Sequence, residues 1–262
     1  MQKKAEMGTL MQHNGNIMDL QFFHNSHLFS ASDDNDICVW STGSWQCLKT
    51  LKGHKRGVVS VSVHPSGKLL LSVSKDKTLR TWNLITGRTA FVTNLSPFPE
   101  LVRWSPLGTY FVVAINNNLD VYLTKKAAKG STGSWQCLKT LKGHKRGVVS
   151  LSVHPSGKLL LSVSKDKTLR TWNLITGRTA FVTNLSPFPE LVCWSPLGTY
   201  FVVAINNNLD VYLTKKAAKI HTIDFGKKIS CVAFITDYDV VKENILRRIH
   251  NGLRCRYRGR RR

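Results

Sequence analysis

Residues 41–129 of this 262-residue chain return as residues 131–219, and only two of the 89 aligned positions differ: Val61 becomes Leu151 and Arg103 becomes Cys193. Any fold must therefore accommodate one segment twice, which points to architectures built by repetition. Repeats that diverge along with their fold keep a pattern and lose identity. Near-identity marks a recent duplication or a join made in assembling the gene, and the sequence is compatible with both.

An older and weaker repeat lies inside the copied segment. Residues 58–63 alternate Val with Val and Ser, residues 69–74 are Leu- and Ser-rich, and residues 78–82 and 89–93 are rich in Thr and aromatics. The intervening segments, around Pro65 and Gly67, around Asp76 and around Gly87, carry turn residues. Short β-prone runs separated by such turns predict a four-stranded antiparallel meander. An aromatic recurs near the end of each predicted third strand, at Trp40, Trp82, Tyr122, Trp172 and Tyr212, with spacings of 42, 40, 50 and 40 residues. A four-stranded unit at that period is a propeller blade. Residues 241–249 alone hint at a helical period.

Gly53-His54 followed by Asp76, Trp82 and Asn83 resembles the WD-repeat signature, with Asn83 in place of the usual Asp. His13, Asp34 and Trp40 resemble it too, without the Gly. The resemblance implies a buried structural set in each such blade, here His54, Ser72, Asp76 and Trp82, and in the copy His144, Ser162, Asp166 and Trp172. A buried imidazole, carboxylate and indole N–H each need partners, so these residues are expected to be structural and not catalytic. The blade ending at Tyr122 is degenerate, with Asn94 and Asn116 expected at the His and Asp positions. More specific runs, including His64-Pro-Ser-Gly-Lys-Leu69 and Asn118-Leu-Asp-Val-Tyr122, are similar to the p21-activated kinase-interacting family of WD-repeat proteins. That likeness runs from about residue 3 to residue 234 once one copy is set aside. It implies a scaffold that restrains p21-activated kinase signalling and acts in large ribosomal subunit biogenesis in the nucleolus.

The expected fold is an all-β WD-repeat β-propeller over residues 1–241, with five recognisable blades and a partial sixth, its closure left open. Residues 242–262 form a basic tail expected to be disordered and unlike the family. The chain reads as starting in the fourth strand of a blade, Gly8 to Met11, which is available to complete the sixth blade begun by Ile229 to Phe234. The duplicated segment starts just after Trp40 and ends shortly after Tyr122, so it adds two whole blades in phase and keeps every strand in register. A lengthened connection from Leu123 to Gly130, before a strand at Trp135 to Thr140, is the expected accommodation.

The formal charge is +23, from 38 Lys and Arg against 15 Asp and Glu. The second copy carries +9 of this and residues 242–262 carry +8. The charge thus records the duplication and the tail more than a polyanion-binding design. Loops before the first strand and between the second and third strands share one face of a blade. They place Lys55, Arg56, Lys75 and Lys77, and in the copy Lys145, Arg146, Lys165 and Lys167, together as candidate contacts to an acidic partner segment or to RNA phosphate. Solvated turn charge is the plainer alternative. Arg254, Arg256, Arg258, Arg260, Arg261 and Arg262 form a candidate nuclear signal or RNA-binding tail.

Other signals are weak. His24 and His27 have metal-like spacing without accompanying ligands. Gly130 to Gly133 lack the Gly-Lys-Ser/Thr of a phosphate loop. Asn94 heads a glycosylation triplet, but no apolar signal core precedes it. Six Cys form no Cys-x-x-Cys pair, and no apolar run nears the roughly 20 residues of a membrane span. The expectation is a nuclear or nucleolar non-enzymatic scaffold with protein partners (p21-activated kinase and pre-ribosomal factors), possible RNA contact, no membrane association, no cofactor and no catalytic or metal site. The alternatives are RNA binding through basic loops and tail, or a partial duplicated gene product without retained function.

Overall fold

The computed structural model describes residues 8–124 and 135–229, together with Val232 and Phe234. Among the described residues, twenty strands form five four-stranded antiparallel sheets, each a meander in chain order. The first blade comprises β1 (Ile17–Phe23), β2 (His27–Ser32), β3 (Ile37–Ser41) and β4 (Cys47–Leu51). The second comprises β5 (Val58–Val63), β6 (Leu69–Ser74), β7 (Thr78–Asn83) and β8 (Arg88–Asn94). The third has β9 (Leu101–Trp104), β10 (Tyr110–Ile115), β11 (Asn118–Leu123) and β12 (Cys137–Leu141). The fourth has β13 (Val148–Val153), β14 (Leu159–Ser164), β15 (Thr168–Asn173) and β16 (Arg178–Asn184). The fifth has β17 (Leu191–Trp194), β18 (Tyr200–Ile205), β19 (Asn208–Leu213) and β20 (Ala218–Asp224). These are the blades of a WD-repeat β-propeller, and each of the five repeating aromatics sits in a third strand.

The turns follow from local chemistry. At the β5–β6 turn, Gly67 takes a left-handed φ of 69° and its N–H donates to the His64 carbonyl at 2.8 Å. A side chain is disfavoured at that φ, which explains glycine there. The His64 ring nitrogen Nδ1 accepts the Ser66 N–H at 3.1 Å and stiffens the same turn.

The chain divides into two compact units, Met1–Phe98 and Pro99–Arg262. Within the first, the core between the two blades joins Phe29, Ala31, Ile37, Val39 and Leu51 to Val58, Val61, Val63, Leu70 and Trp82. The first strand of a blade has one edge without a sheet neighbour, so its N–H groups need other partners. Side chains of β1 supply them: Asp19 accepts the Val61 N–H at 3.1 Å and the Ser60 hydroxyl at 2.7 Å, and Gln21 accepts the Val63 N–H at 2.8 Å. Within the second unit the same need is met in the same direction, by side chains of the preceding blade. Ser150 and Ser152 of β13 accept the N–H groups of Val192 and Trp194 of β17 at 3.2 and 3.1 Å.

The duplication is taken up in phase. β12 repeats the sequence of β4 and pairs with β11, with Leu119 opposite Leu141 and Tyr122 opposite Cys137. In the first blade, β4 pairs with β3 at the matching positions, Ile37 opposite Leu51 and Trp40 opposite Cys47. The lengthened connection expected before this strand falls mostly on residues 125–134, outside the described residues. The one-turn helix Thr214–Lys216 makes the corresponding link in the fifth blade.

One expectation changes. Gly8 to Met11 form no strand and are exposed. A strand exists only against a ladder partner, and among the described residues no strand pairs with this segment. The start of the expected sixth blade is partly described: Ile229 is buried, donates its N–H to the Asn206 carbonyl at 3.0 Å, and packs with Val232 and Phe234 against Val202, Ala204, Leu209 and Val211. The tail over 242–262, with its arginines and the helical period at 241–249, lies outside the described residues.

Candidate functional site

The first, second and fourth blades each carry a four-residue hydrogen-bond relay. In the second, Trp82 Nε1 donates to Ser72 Oγ at 2.8 Å, Ser72 Oγ lies 2.7 Å from His54 Nε2, and His54 Nδ1 lies 2.9 Å from Asp76 Oδ2. One proton arrangement satisfies all three contacts. The indole donates to the hydroxyl, the hydroxyl donates to Nε2, and a neutral imidazole donates from Nδ1 to the carboxylate. The fourth blade repeats this through Trp172, Ser162, His144 and Asp166 at 2.8, 2.7 and 2.9 Å. The first blade does so through Trp40, Ser30, His13 and Asp34 at 2.8, 2.8 and 2.9 Å. Ser30 stands ten residues before Trp40, as Ser72 does before Trp82 and Ser162 before Trp172, and that spacing is the signal that marks it.

The relay also explains the Gly before His54. A Cβ added at Gly53 would meet Arg80 Nη1 at 3.0 Å and the Trp82 ring at 3.1 Å. At Gly143 the matching distances are 2.8 and 3.0 Å. Burial lowers the His54 and His144 imidazole pKa values despite the nearby carboxylates, which keeps the rings neutral. Burial alone would raise Asp76. Hydrogen bonds from Thr78, the Lys55 N–H and His54 outweigh it and hold the carboxyl at about 2. Asp166 is lowered by the same set of donors. Although each set contains Ser, His and Asp, Ser72 and Ser162 are fully buried and their hydroxyls are committed within the relay. This geometry holds strands together and presents no nucleophile to a substrate.

The relay carboxylate does a second job at the surface. Asp76 Oδ2 accepts the backbone N–H of Lys55 at 2.9 Å, the Ser74 hydroxyl donates to the Arg56 carbonyl at 2.7 Å, and the Lys75 N–H donates to the Gly57 carbonyl at 3.0 Å. These bonds lace the loop before β5 to the β6–β7 turn. They bring the exposed Lys55, Arg56 and Lys75 onto one face, with Lys77 beside them at a left-handed φ of 64°. The fourth blade repeats the lacing with Lys145, Arg146, Lys165 and Lys167, at 2.8 Å for Asp166 to the Lys145 N–H and 3.0 Å for the Lys165 N–H to Gly147. There Lys167 Nζ also lies 5.0 Å from the centre of the Phe188 ring. Phe188 was not singled out by sequence, because its segment reaches this face only through the loop leading into β17.

The third and fifth blades have no such relay. Asn94 ends β8 opposite Thr78, and Asn116 occupies the β10–β11 turn at a φ of 54°, giving its carbonyl to the Val148 N–H. Neither side chain fills the expected His or Asp role; the turn is tied to the following blade instead, Asn117 Nδ2 donating to the His144 carbonyl at 2.9 Å. An aromatic pair stands at the relay position instead. Phe111 stacks on Tyr122 at 5.0 Å and 4°, and Phe201 on Tyr212 at 4.9 Å and 3°. Among the described residues no group of three His, Cys, Asp or Glu is arranged to hold a metal, and no helix is long and apolar enough to cross a membrane. Cys38, Cys47, Cys137 and Cys193 are free thiols.

Comparison with known proteins follows the same division. The WD40 family, described as WD domain, G-beta repeat, matches residues 4–41, 45–83 and 135–173, the three spans that hold the relays. The p21-activated protein kinase-interacting protein 1-like of Xenopus laevis is 52% identical over 128 residues, covering 49% of this chain and 35% of that protein. Its Danio rerio counterpart is 51% identical over 144 residues, covering 53% of this chain and 39% of that protein. Protein MAK11 of Saccharomyces cerevisiae is 33% identical over 174 residues, covering 59% and 40%. The chain thus spans well under half the length of each of these relatives.

Proposed function

We propose that this WD-repeat chain, similar to the p21-activated protein kinase-interacting proteins, is a non-enzymatic scaffold that docks the regulatory region of a p21-activated kinase and restrains it. The observation that carries the reading is the laced basic face. Each relay blade of the duplicated segment uses a buried carboxylate to fix two loops whose exposed side chains are cationic. Cations carried on loops already fixed to a rigid sheet meet an acidic segment without the cost of ordering those loops. By the same likeness the reading extends to pre-ribosomal partners in the nucleus and nucleolus.

Titration of the full chain with the kinase regulatory region is expected to give binding that weakens as salt rises. Reversing Lys55, Arg56, Lys75 and Lys77 together with Lys145, Arg146, Lys165 and Lys167 is expected to weaken it at least about tenfold. Unchanged affinity and unchanged salt dependence in that variant would overturn the reading. The Arg-rich sequence at 254–262 favours a second reading, direct RNA binding. An RNA affinity with a steep salt slope that disappears when residues 242–262 are removed would select it.

A further inference from the structure

Arg146 and Lys165 stand at the mouth of a cavity of about 580 Å³ in the unit formed by residues 99–262. Phe188, Pro189 and Leu191, on the way into β17, line it, and Lys228 and Ile229 line it after β20. Pro189 and Ile229 are buried, so the depth of the cavity is apolar while its rim is charged. Glu190 and Lys228 form a 3.0 Å ion pair on the wall, which matches one rim cation to an anion already present. The Glu100 carboxylate also feels Lys165, so Arg146, Lys165 and Lys167 together outnumber the one further anion and leave a net positive rim for a ligand.

We propose that this cavity is a docking pocket for an acidic protein segment, taking one apolar side chain of that segment inside while flanking carboxylates meet Arg146 and Lys165. The inference deepens the scaffold reading and rests on it. The size lies within the range of pockets that enclose a ligand, and an apolar anchor in a desolvated pocket ringed by charge is how short segments gain both affinity and register. One feature favours a protein segment over a nucleic acid: the Phe188 ring already carries the Lys167 ammonium where a base would stack. Lys228 and Ile229 lie outside the duplicated span, so copying residues 41–129 does not by itself copy the pocket.

The test is fluorescence anisotropy on the full chain with a short labelled peptide of aspartates and glutamates flanking one leucine. The same peptide with serine for leucine and a labelled oligouridine complete the set. The leucine peptide is expected to bind about tenfold or more tighter than the serine peptide. Arg146→Glu with Lys165→Glu is expected to remove at least about tenfold of its affinity, and Arg56→Glu with Lys75→Glu far less. Equal binding of the two peptides, preference for oligouridine, or equal loss in both charge variants would each overturn the pocket. Peptide binding lost in the pocket variant, with no binding of the kinase regulatory region, keeps the pocket and removes the kinase as partner. Kinase binding that is indifferent to the pocket variant but lost in the eightfold reversal does the opposite.

Discussion

The second and fourth blades hold their middle strands together with a polar relay, and the third and fifth do the same with stacked rings. The difference is written into one register position. Leu70 faces Trp82 and Leu160 faces Trp172 in the relay blades, whereas Phe111 faces Tyr122 and Phe201 faces Tyr212 in the others. Two residues further along the second strand, the relay serines Ser72 and Ser162 give way to Val113 and Val203. With no hydroxyl to accept it, an indole N–H in that place would be buried without a partner, and a stacked tyrosine avoids the problem. The comparison teaches that the four-strand topology is indifferent to which chemistry locks it. The surface is not indifferent. The relay needs a carboxylate at the β6–β7 or β14–β15 turn, and that carboxylate fixes the basic loops.

The largest expected effect breaks the stack. Phe111→Ala or Phe201→Ala removes a fully buried ring and is expected to destabilise by about 3–5 kcal/mol, read as the loss in denaturant unfolding free energy. Ser72→Ala or Ser162→Ala deletes few atoms yet leaves an indole N–H and an imidazole nitrogen without partners. The expected loss is about 1–3 kcal/mol, and a loss near zero would mean that the relay is not a structural lock. A smaller effect separates two copies of one residue. Trp135 packs edge-on to Phe111 at 5.3 Å and to Trp104 at 6.4 Å, while its counterpart Trp45 is 47% exposed. Trp135→Ala is therefore expected to lower the melting temperature by several degrees, and Trp45→Ala to shift it by roughly 1 °C at most.

The smallest effect distinguishes the two locks by pH. His54 and His144 have folded-state pKa values below the ordinary 6.5, so the unfolded chain takes up protons first, and stability falls as pH drops below about 6.5. Asp76 is held at about 2 against 3.8, so its contribution is present above about pH 4 and is lost as pH falls toward 2. The stacked tyrosines do not titrate in either window, since burial pushes the Tyr212 hydroxyl up to about 12 and raises Tyr122 as well. Replacing His54 and His144 by Gln is expected to flatten the melting temperature between pH 7 and pH 5. An unchanged slope would show that other groups carry the acid sensitivity.

Much of the architecture is legible in the sequence because it is local. The aromatic period marks every third strand, and turn residues such as Gly67 sit where a positive φ requires them. The relay of the second blade is legible because His54, Ser72, Asp76 and Trp82 lie within one repeat at a recognisable spacing. The Phe111–Tyr122 stack is not. Alternation within a strand says which face a ring takes and not what stands opposite it, and that needs the register. The docking pocket is harder still. Its walls come from three loops of two blades and from Lys228 and Ile229, so no single stretch of sequence contains it. The strand expected at Gly8 to Met11 shows the converse limit, because β propensity cannot supply the neighbour a strand needs.

The pairing of β12 with β11 has a consequence for the integrity of the chain. β12 is encoded with the second copy but is hydrogen-bonded into a blade whose other three strands belong to the first. A backbone cut anywhere between Thr124 and Trp135 would sever the covalent link and leave the ladder from Leu119–Leu141 to Tyr122–Cys137, with the Thr140 hydroxyl on the Asp120 carboxylate at 2.6 Å, stitching the fragments together. Two polypeptides made separately and divided at that point carry three strands and one strand of a single sheet. Their recombination should therefore be directed by this strand exchange, in the manner of a split reporter.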